Sequence, residues 1–117
     1  MLTDDIKIIL KKLTHHLFLD IVPRGNAAIT FALSILPKGS TVLIPEEGGW
    51  IHYHKAPRQL GLKAMEIKCD DARINIEDLQ EKINSTRAAA FLYQNPGGYF
   101  AQQPMKEIYG LCRKNNC

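Results

Sequence analysis

Two short turns hold the residue types most able to do chemistry. The first, Arg24-Gly25-Asn26-Ala27-Ala28-Ile29, joins an apolar run over 17–22 to a run over 27–36 with apolar residues at helical spacing. A small-residue turn between a strand and a helix leaves backbone N–H groups free to point at an anion. The helix N-terminus adds a partial positive charge at the same place. Gly25, Asn26 and Ala27 could therefore bind a phosphate, with the Asn26 side chain as a further donor. The stretch is not a P-loop, because it lacks the glycine spacing and the GK[ST] ending, and it is not GxGxxG. The second turn is Gln94-Asn95-Pro96-Gly97-Gly98. Asn95 could donate to an oxygen of a bound ring, although Asn before Pro at a strand end is also a common turn former. Trp50 follows Gly48-Gly49 and could stack on a flat ring or anchor a core.

Other chemistries find less support. His52 and His54 flank Tyr53. Residues two apart on a helix face different sides, so the pair does not converge on a metal there. The expectation is no metal site and no catalytic residue within the chain. His15-His16 reads as a solvated helix end. Cys69, Cys112 and Cys117 form no CxxC and no disulfide framework, which predicts a reducing, cytoplasmic setting. Cys69 and Cys112 sit in apolar surroundings and read as packing residues, and Cys117 as incidental. The formal charge of +3 comes from basic residues spread among acids, so no nucleic-acid partner is expected. No apolar run approaches the roughly 20 residues of a membrane span. Asp4-Asp5 put acid where a secretory leader needs positive charge.

The elements that must position these turns alternate. Residues 3–13 predict an amphipathic helix capped by Thr3, with Ile6, Ile9, Leu10 and Leu13 as its apolar stripe. Residues 17–22 predict a buried strand and 26–36 a helix. Thr41-Val42-Leu43-Ile44 predicts a strand stopped by Pro45. A helix over 50–59 follows, with Pro57 against its end and Gly61 as its stop. Residues 64–69 alternate like a strand, and 70–75 read as a polar connection. Residues 76–83 predict a helix, 88–93 a central strand, and 104–114 a last helix. With 117 residues, 45% of them apolar, the chain is expected to be a single α/β domain over 1–117. The alternation predicts βαβ units and a mainly parallel sheet covered on both faces. The turns at 23–27, 45–50 and 94–98 should then share the carboxyl edge of the sheet, where such folds bind ligands.

These residues also carry a family resemblance over nearly the whole chain. The sequence resembles the first half of the large domain of fold-type I pyridoxal-phosphate enzymes, the aspartate-aminotransferase superfamily. Arg24-Gly25-Asn26-Ala27-Ala28 resembles the family's Ser-Gly-Thr-x-Ala phosphate turn, with Asn26 where Thr or Ser is commoner. Pro37-Lys38-Gly39-Ser40-Thr41-Val42-Leu43-Ile44-Pro45 resembles its "pGD-x-V-l-v-P" strand. Ile74-Asn75-Ile76-Glu77-Asp78-Leu79 resembles its "iD-x-e-x-L" helix start, and Gln94-Asn95-Pro96-Gly97-Gly98 its "NP-x-G" turn. The resemblance implies a partial three-layer α/β/α large domain with pyridoxal 5′-phosphate as cofactor. It implies that Gly25, Asn26 and Ala27 hold the cofactor phosphate. Trp50 would stack on the pyridine ring, with Tyr53 or His54 as alternatives, and Asn95 would contact the ring hydroxyl.

In the family the aspartate that pairs the pyridine nitrogen and the Schiff-base lysine come from later strands, beyond Cys117. Lys38, Lys55, Lys63 and Lys68 stand at the wrong motif positions to replace that lysine. The resemblance therefore implies part of an aminotransferase-like enzyme, inactive alone, acting on an amino-acid-like small molecule when complete. Uncovered strand edges and apolar faces predict a homo-oligomer or a complementary chain. The alternative is a small α/β binding module that has lost cofactor chemistry. A nucleotide-binding α/β domain is weaker, for want of a phosphate-loop consensus.

Overall fold

The computed structural model describes residues 2–117. Three parallel strands form its centre: β1 (Thr41–Pro45), β2 (Lys63–Ile67) and β5 (Ala90–Phe91), in the order β2-β1-β5. Thr41 stands opposite Lys63 and Pro45 opposite Ile67, while Val42 and Leu43 stand opposite Ala90 and Phe91. Successive residues of β1 point to opposite faces, and both faces are covered. Leu43 joins Ile67, Leu79, Ile83 and Ile108 on the side of α4 (Ile76–Thr86) and α5 (Met105–Lys114). Val42 and Ile44 join Leu33, Ala56 and Leu62 on the side of α2 (Gly25–Leu33) and α3 (His52–Gln59). The expected three layers and parallel sheet are present.

The boundaries follow local chemistry. Helix α3 ends in a Schellman arrangement: Leu62 N–H donates to Pro57 O at 2.8 Å and Gly61 N–H to Arg58 O at 3.2 Å. Gly61 supplies the left-handed turn, with φ +71°. Pro57 sits inside the last turn and is buried. Helix α4 is capped by Asn75, whose side-chain oxygen accepts from Asp78 N–H at 2.9 Å. The Asp78 carboxylate in turn accepts from Lys68 N–H and from Lys82 Nζ, each at 2.8 Å. Burial pushes the Asp78 carboxyl up, but the hydrogen bonds from Lys82 and Lys68 outweigh it and hold the group below its ordinary 3.8.

Expectations about strands are corrected at three places. Residues 17–22 form no strand: Leu17 and Phe18 are 82% and 93% exposed, and no described residue pairs with them. A hydrophobic run becomes a strand only where a sheet edge accepts its N–H and C=O groups, and here Ile21 N–H bonds locally to Asp20 Oδ1 at 2.9 Å. The turn at 23–27 thus follows an irregular segment and not a strand end. The central strand expected over 88–93 shrinks to Ala90–Phe91. Its ladder runs through Ala89 N–H to Thr41 O and Leu92 N–H to Leu43 O. The next position of β1 facing β5 is Pro45, which has no N–H to continue it. Finally, the polar connection at 70–75 contains an antiparallel hairpin, β3 (Cys69–Asp70) with β4 (Arg73–Ile74), closed by left-handed Asp71 and Ala72.

Helix α1 (Leu2–Thr14) contains Thr3 and does not begin after it, and its stripe residues Ile6, Ile9 and Leu13 remain exposed. No described helix is long and apolar enough to cross a membrane.

Leu43→Ala should lower the unfolding free energy by about 3 kcal/mol, because it empties a fully buried site under two helices. Ile35→Ala, at an exposed position, should stay within about 0.5 kcal/mol in the same denaturant titration. The Asp78 contribution to stability should be fully present above the ordinary 3.8 and lost as pH falls through the depressed folded value. Acid titration of Asp78→Asn against the parent should show a stability gap constant near neutrality that closes only below about pH 4.

Candidate functional site

The carboxyl ends of β1 and β5 open into two loops that touch backbone to backbone. Gly48 has φ +72°, and a Cβ there would lie 2.3 Å from Gly98 N. A Cβ on Gly98 would lie 3.0 Å from Gly48 Cα and 3.3 Å from the Ala72 methyl. The hairpin β3–β4 is tied to the first loop through acids: Glu46 accepts from Cys69 N–H at 2.8 Å and Glu47 from Ala72 N–H at 2.9 Å. It is tied to the second by Gln103, a buried side chain. Gln103 Oε1 accepts from Ile74 N–H at 2.8 Å, and Nε2 donates to Ala72 O at 2.9 Å. Gly97 passes so close that a Cβ would sit 2.5 Å from Gln103 Nε2.

Helix α2 presents its N-terminus beside the first loop. Arg24 is extended, with φ −146° and ψ 152°, and gives no side-chain cap. The first internal bond is Ala28 N–H to Arg24 O at 3.0 Å, so the N–H groups of the exposed residues Gly25, Asn26 and Ala27 open away from the helix. Nothing lies within 4 Å of a Cβ on Gly25, which leaves space for a ligand atom to approach.

Trp50 joins this turn directly. Its Nε1–H donates to Asn26 Oδ1 at 2.7 Å, and the residue is 55% exposed, so it anchors no core. An indole nitrogen only donates, so Asn26 must turn its oxygen to Trp50 and its NH₂ donors elsewhere. Behind the pair, Thr30 Oγ1 and His52 Nε2 share a hydrogen bond of 2.8 Å. Asn26, Ala27, Thr30, Phe31, Ser34 and His52 line an open depression of about 440 Å³.

The remaining expected residues separate. Tyr53 packs inward under Gly49 against the Leu33 cluster, and burial pushes its phenol up, keeping it neutral. His54 lies on the other side, 4.0 Å from Glu66 at the β2 edge. His52 and His54 therefore diverge. Asn95 is exposed on the second loop and has no hydrogen bond to Asn26 or Trp50. Its Oδ1 accepts from Gln103 N–H at 2.9 Å and its Nδ2 donates to Met105 Sδ at 3.0 Å. Gln103, Glu46 and Glu47 were not foreseeable, because single polar residues in loops carry no spacing signal. Replacing Gln103 by Leu should lower stability by about 3 kcal/mol in chemical denaturation, since it strands the Ile74 N–H and the Ala72 carbonyl.

Comparison with known proteins bears on the fold. No protein-family model matches the chain, and no curated protein sequence matches it. Among solved structures, the crystal structure of ureidoglycine-glyoxylate aminotransferase from Bacillus subtilis covers 79% of the chain with a TM-score of 0.60 and 21% identity. The chain spans 25% of that enzyme's length. The likeness shows that these residues adopt an α/β arrangement shared with part of an aminotransferase.

Proposed function

We propose that this chain is the part of a pyridoxal-phosphate-dependent aminotransferase-like enzyme that holds the cofactor phosphate and one face of its ring. The observation that carries the reading is the 2.7 Å bond from Trp50 Nε1 to Asn26 Oδ1. It fixes a flat, exposed ring beside an uncapped helix N-terminus, which is the pairing that a phosphate on a heteroaromatic ring needs. The same bond aims the Asn26 NH₂ outward as a donor to phosphate oxygens, alongside the N–H groups of Gly25, Asn26 and Ala27. Asn95 would reach the ring hydroxyl by giving up Met105 Sδ, a weak acceptor whose loss costs little. The residues present thus fit the phosphate and one ring face.

When bound, the cofactor supplies the electron sink for amino-acid chemistry. The role of this chain is to bind and orient it. The covalent lysine and the carboxylate at the ring nitrogen would come from further polypeptide, so the chain is inactive alone. Exposed Leu17, Phe18, Phe31 and Ile35 support coverage by such polypeptide or by a second copy.

Trp50 is the single tryptophan, so its fluorescence reads the site directly. Pyridoxamine 5′-phosphate is a suitable probe, having no aldehyde to react with surface lysines. Saturable quenching is expected, with inorganic phosphate competing. Asn26→Asp keeps the acceptor for Trp50 but replaces the outward donor with negative charge, and should weaken binding at least tenfold. Absence of saturable quenching in the folded chain, or unchanged affinity in Asn26→Asp, would overturn the reading and favour a module without the cofactor.

A further inference from the structure

The C-terminal end of α5 brings two cysteines together. Asn115 closes the helix, donating its N–H to Leu111 O and Cys112 O at 3.3 Å each. Asn116 is left-handed, with φ 54°, and Cys117 N–H then donates to Cys112 O at 2.8 Å. This is the six-to-one bond of a Schellman end, which sets the residue after the left-handed position against the one five before it. That contact is ordinarily hydrophobic. Here both positions are cysteines, packed against the same core cluster. Asn115 Nδ2 braces the turn by donating to Leu111 O at 2.9 Å.

The surroundings suit reaction. Both thiols are free and half-buried, and with Phe91, Tyr93 and Tyr109 they line a depression of about 290 Å³ beside β5. The neighbouring Cys117 thiol outweighs burial and draws the Cys112 thiol down to about 7. Cys117 is pushed up by the neighbouring Cys112 and by burial, and keeps its proton. Cys69 is a built-in comparison: its Sγ faces Ile67 O at 3.6 Å, and burial pushes it up.

We propose that Cys112 and Cys117 are a reversible dithiol–disulfide pair, with Cys112 the attacking thiol and Cys117 the resolving one. The pair is independent of the cofactor reading. The oxidant is a small-molecule disulfide such as glutathione disulfide. Cys112 thiolate attacks one of its sulfurs, forming a mixed disulfide and expelling one glutathione thiolate. Cys117 then loses its proton and attacks the Cys112 sulfur, expelling the second. The protein gives up two electrons, and the two thiol protons end on two glutathione molecules. The backbone bond from residue 117 to residue 112 already sets the two side by side, as a ~2 Å bond between their sulfurs requires.

The test uses the whole 117-residue chain in glutathione redox buffers, followed by alkylation and mass mapping. The expected product is a monomer about 2 Da lighter, linked between Cys112 and Cys117, with Cys69 alkylated. Cys117→Ser should stop at a Cys112–glutathione mixed disulfide. Cys112→Ser should react with glutathione disulfide at least tenfold more slowly near neutral pH. A linkage through Cys69, a linkage between chains, or a pair still reduced when oxidised glutathione is in large excess would overturn the pairing. An unchanged rate in Cys112→Ser would overturn the assignment of the attacking thiol.

Discussion

The side-chain amide of Gln103 is the constraint on which the site edge depends. It is buried and makes both hydrogen bonds to one three-residue stretch of hairpin, Ala72 O and Ile74 N–H. Its backbone N–H holds Asn95, and its Nε2 leaves room at residue 97 for glycine alone. A single planar group thus fixes the hairpin, the loop after β5 and the start of α5 in one geometry. The hairpin passes that geometry on to the loop after β1 through the carboxylates of Glu46 and Glu47. An unmade bond in such a buried network costs more than the bond contributes, so the arrangement tends to hold as a unit or not at all.

The sheet supplies the other half of the positioning. Alternation along Val42, Leu43 and Ile44 commits one strand to two cores, which fixes α2 and α3 on one face and α4 and α5 on the other. Helix α2 is packed by Leu33 near its C-terminal end, so its N-terminal turn is free to project beyond the sheet toward Trp50. Pro45 ends the ladder toward β5, and the chain beyond Phe91 can then depart toward Gly98.

Much of this was legible in residues whose local chemistry agrees with their tertiary role. Gly61 reads as a helix stop and is one. Ile76 opens a helix behind Asn75, which caps it. Thr41–Pro45 reads as a strand that Pro stops, and it is. Where local preference and long-range pairing differ, the sequence misleads. The apolar run over 17–22 has strand chemistry but finds no edge to join. Asp71 and Ala72 look like plain connection, yet adopt the left-handed turn of a hairpin held by distant acids. The turn at 24–29 was visible as a motif, but the Trp50–Asn26 bond spans 24 residues and no periodicity announces it. Cys117, read as incidental, sits against Cys112 because of a helix-end geometry that Asn116 sets.

The backbone contact between Gly48 and Gly98 determines how this edge can vary. Because no side chain separates the two loops, their spacing is set by main-chain van der Waals radii, the least adjustable dimension a protein has. Exchanging neighbouring side chains alters the chemistry offered at the rim while leaving that spacing alone. Adding even one methyl group at either glycine forces both loops to move. The rim is therefore open to chemical diversification but closed to gradual widening.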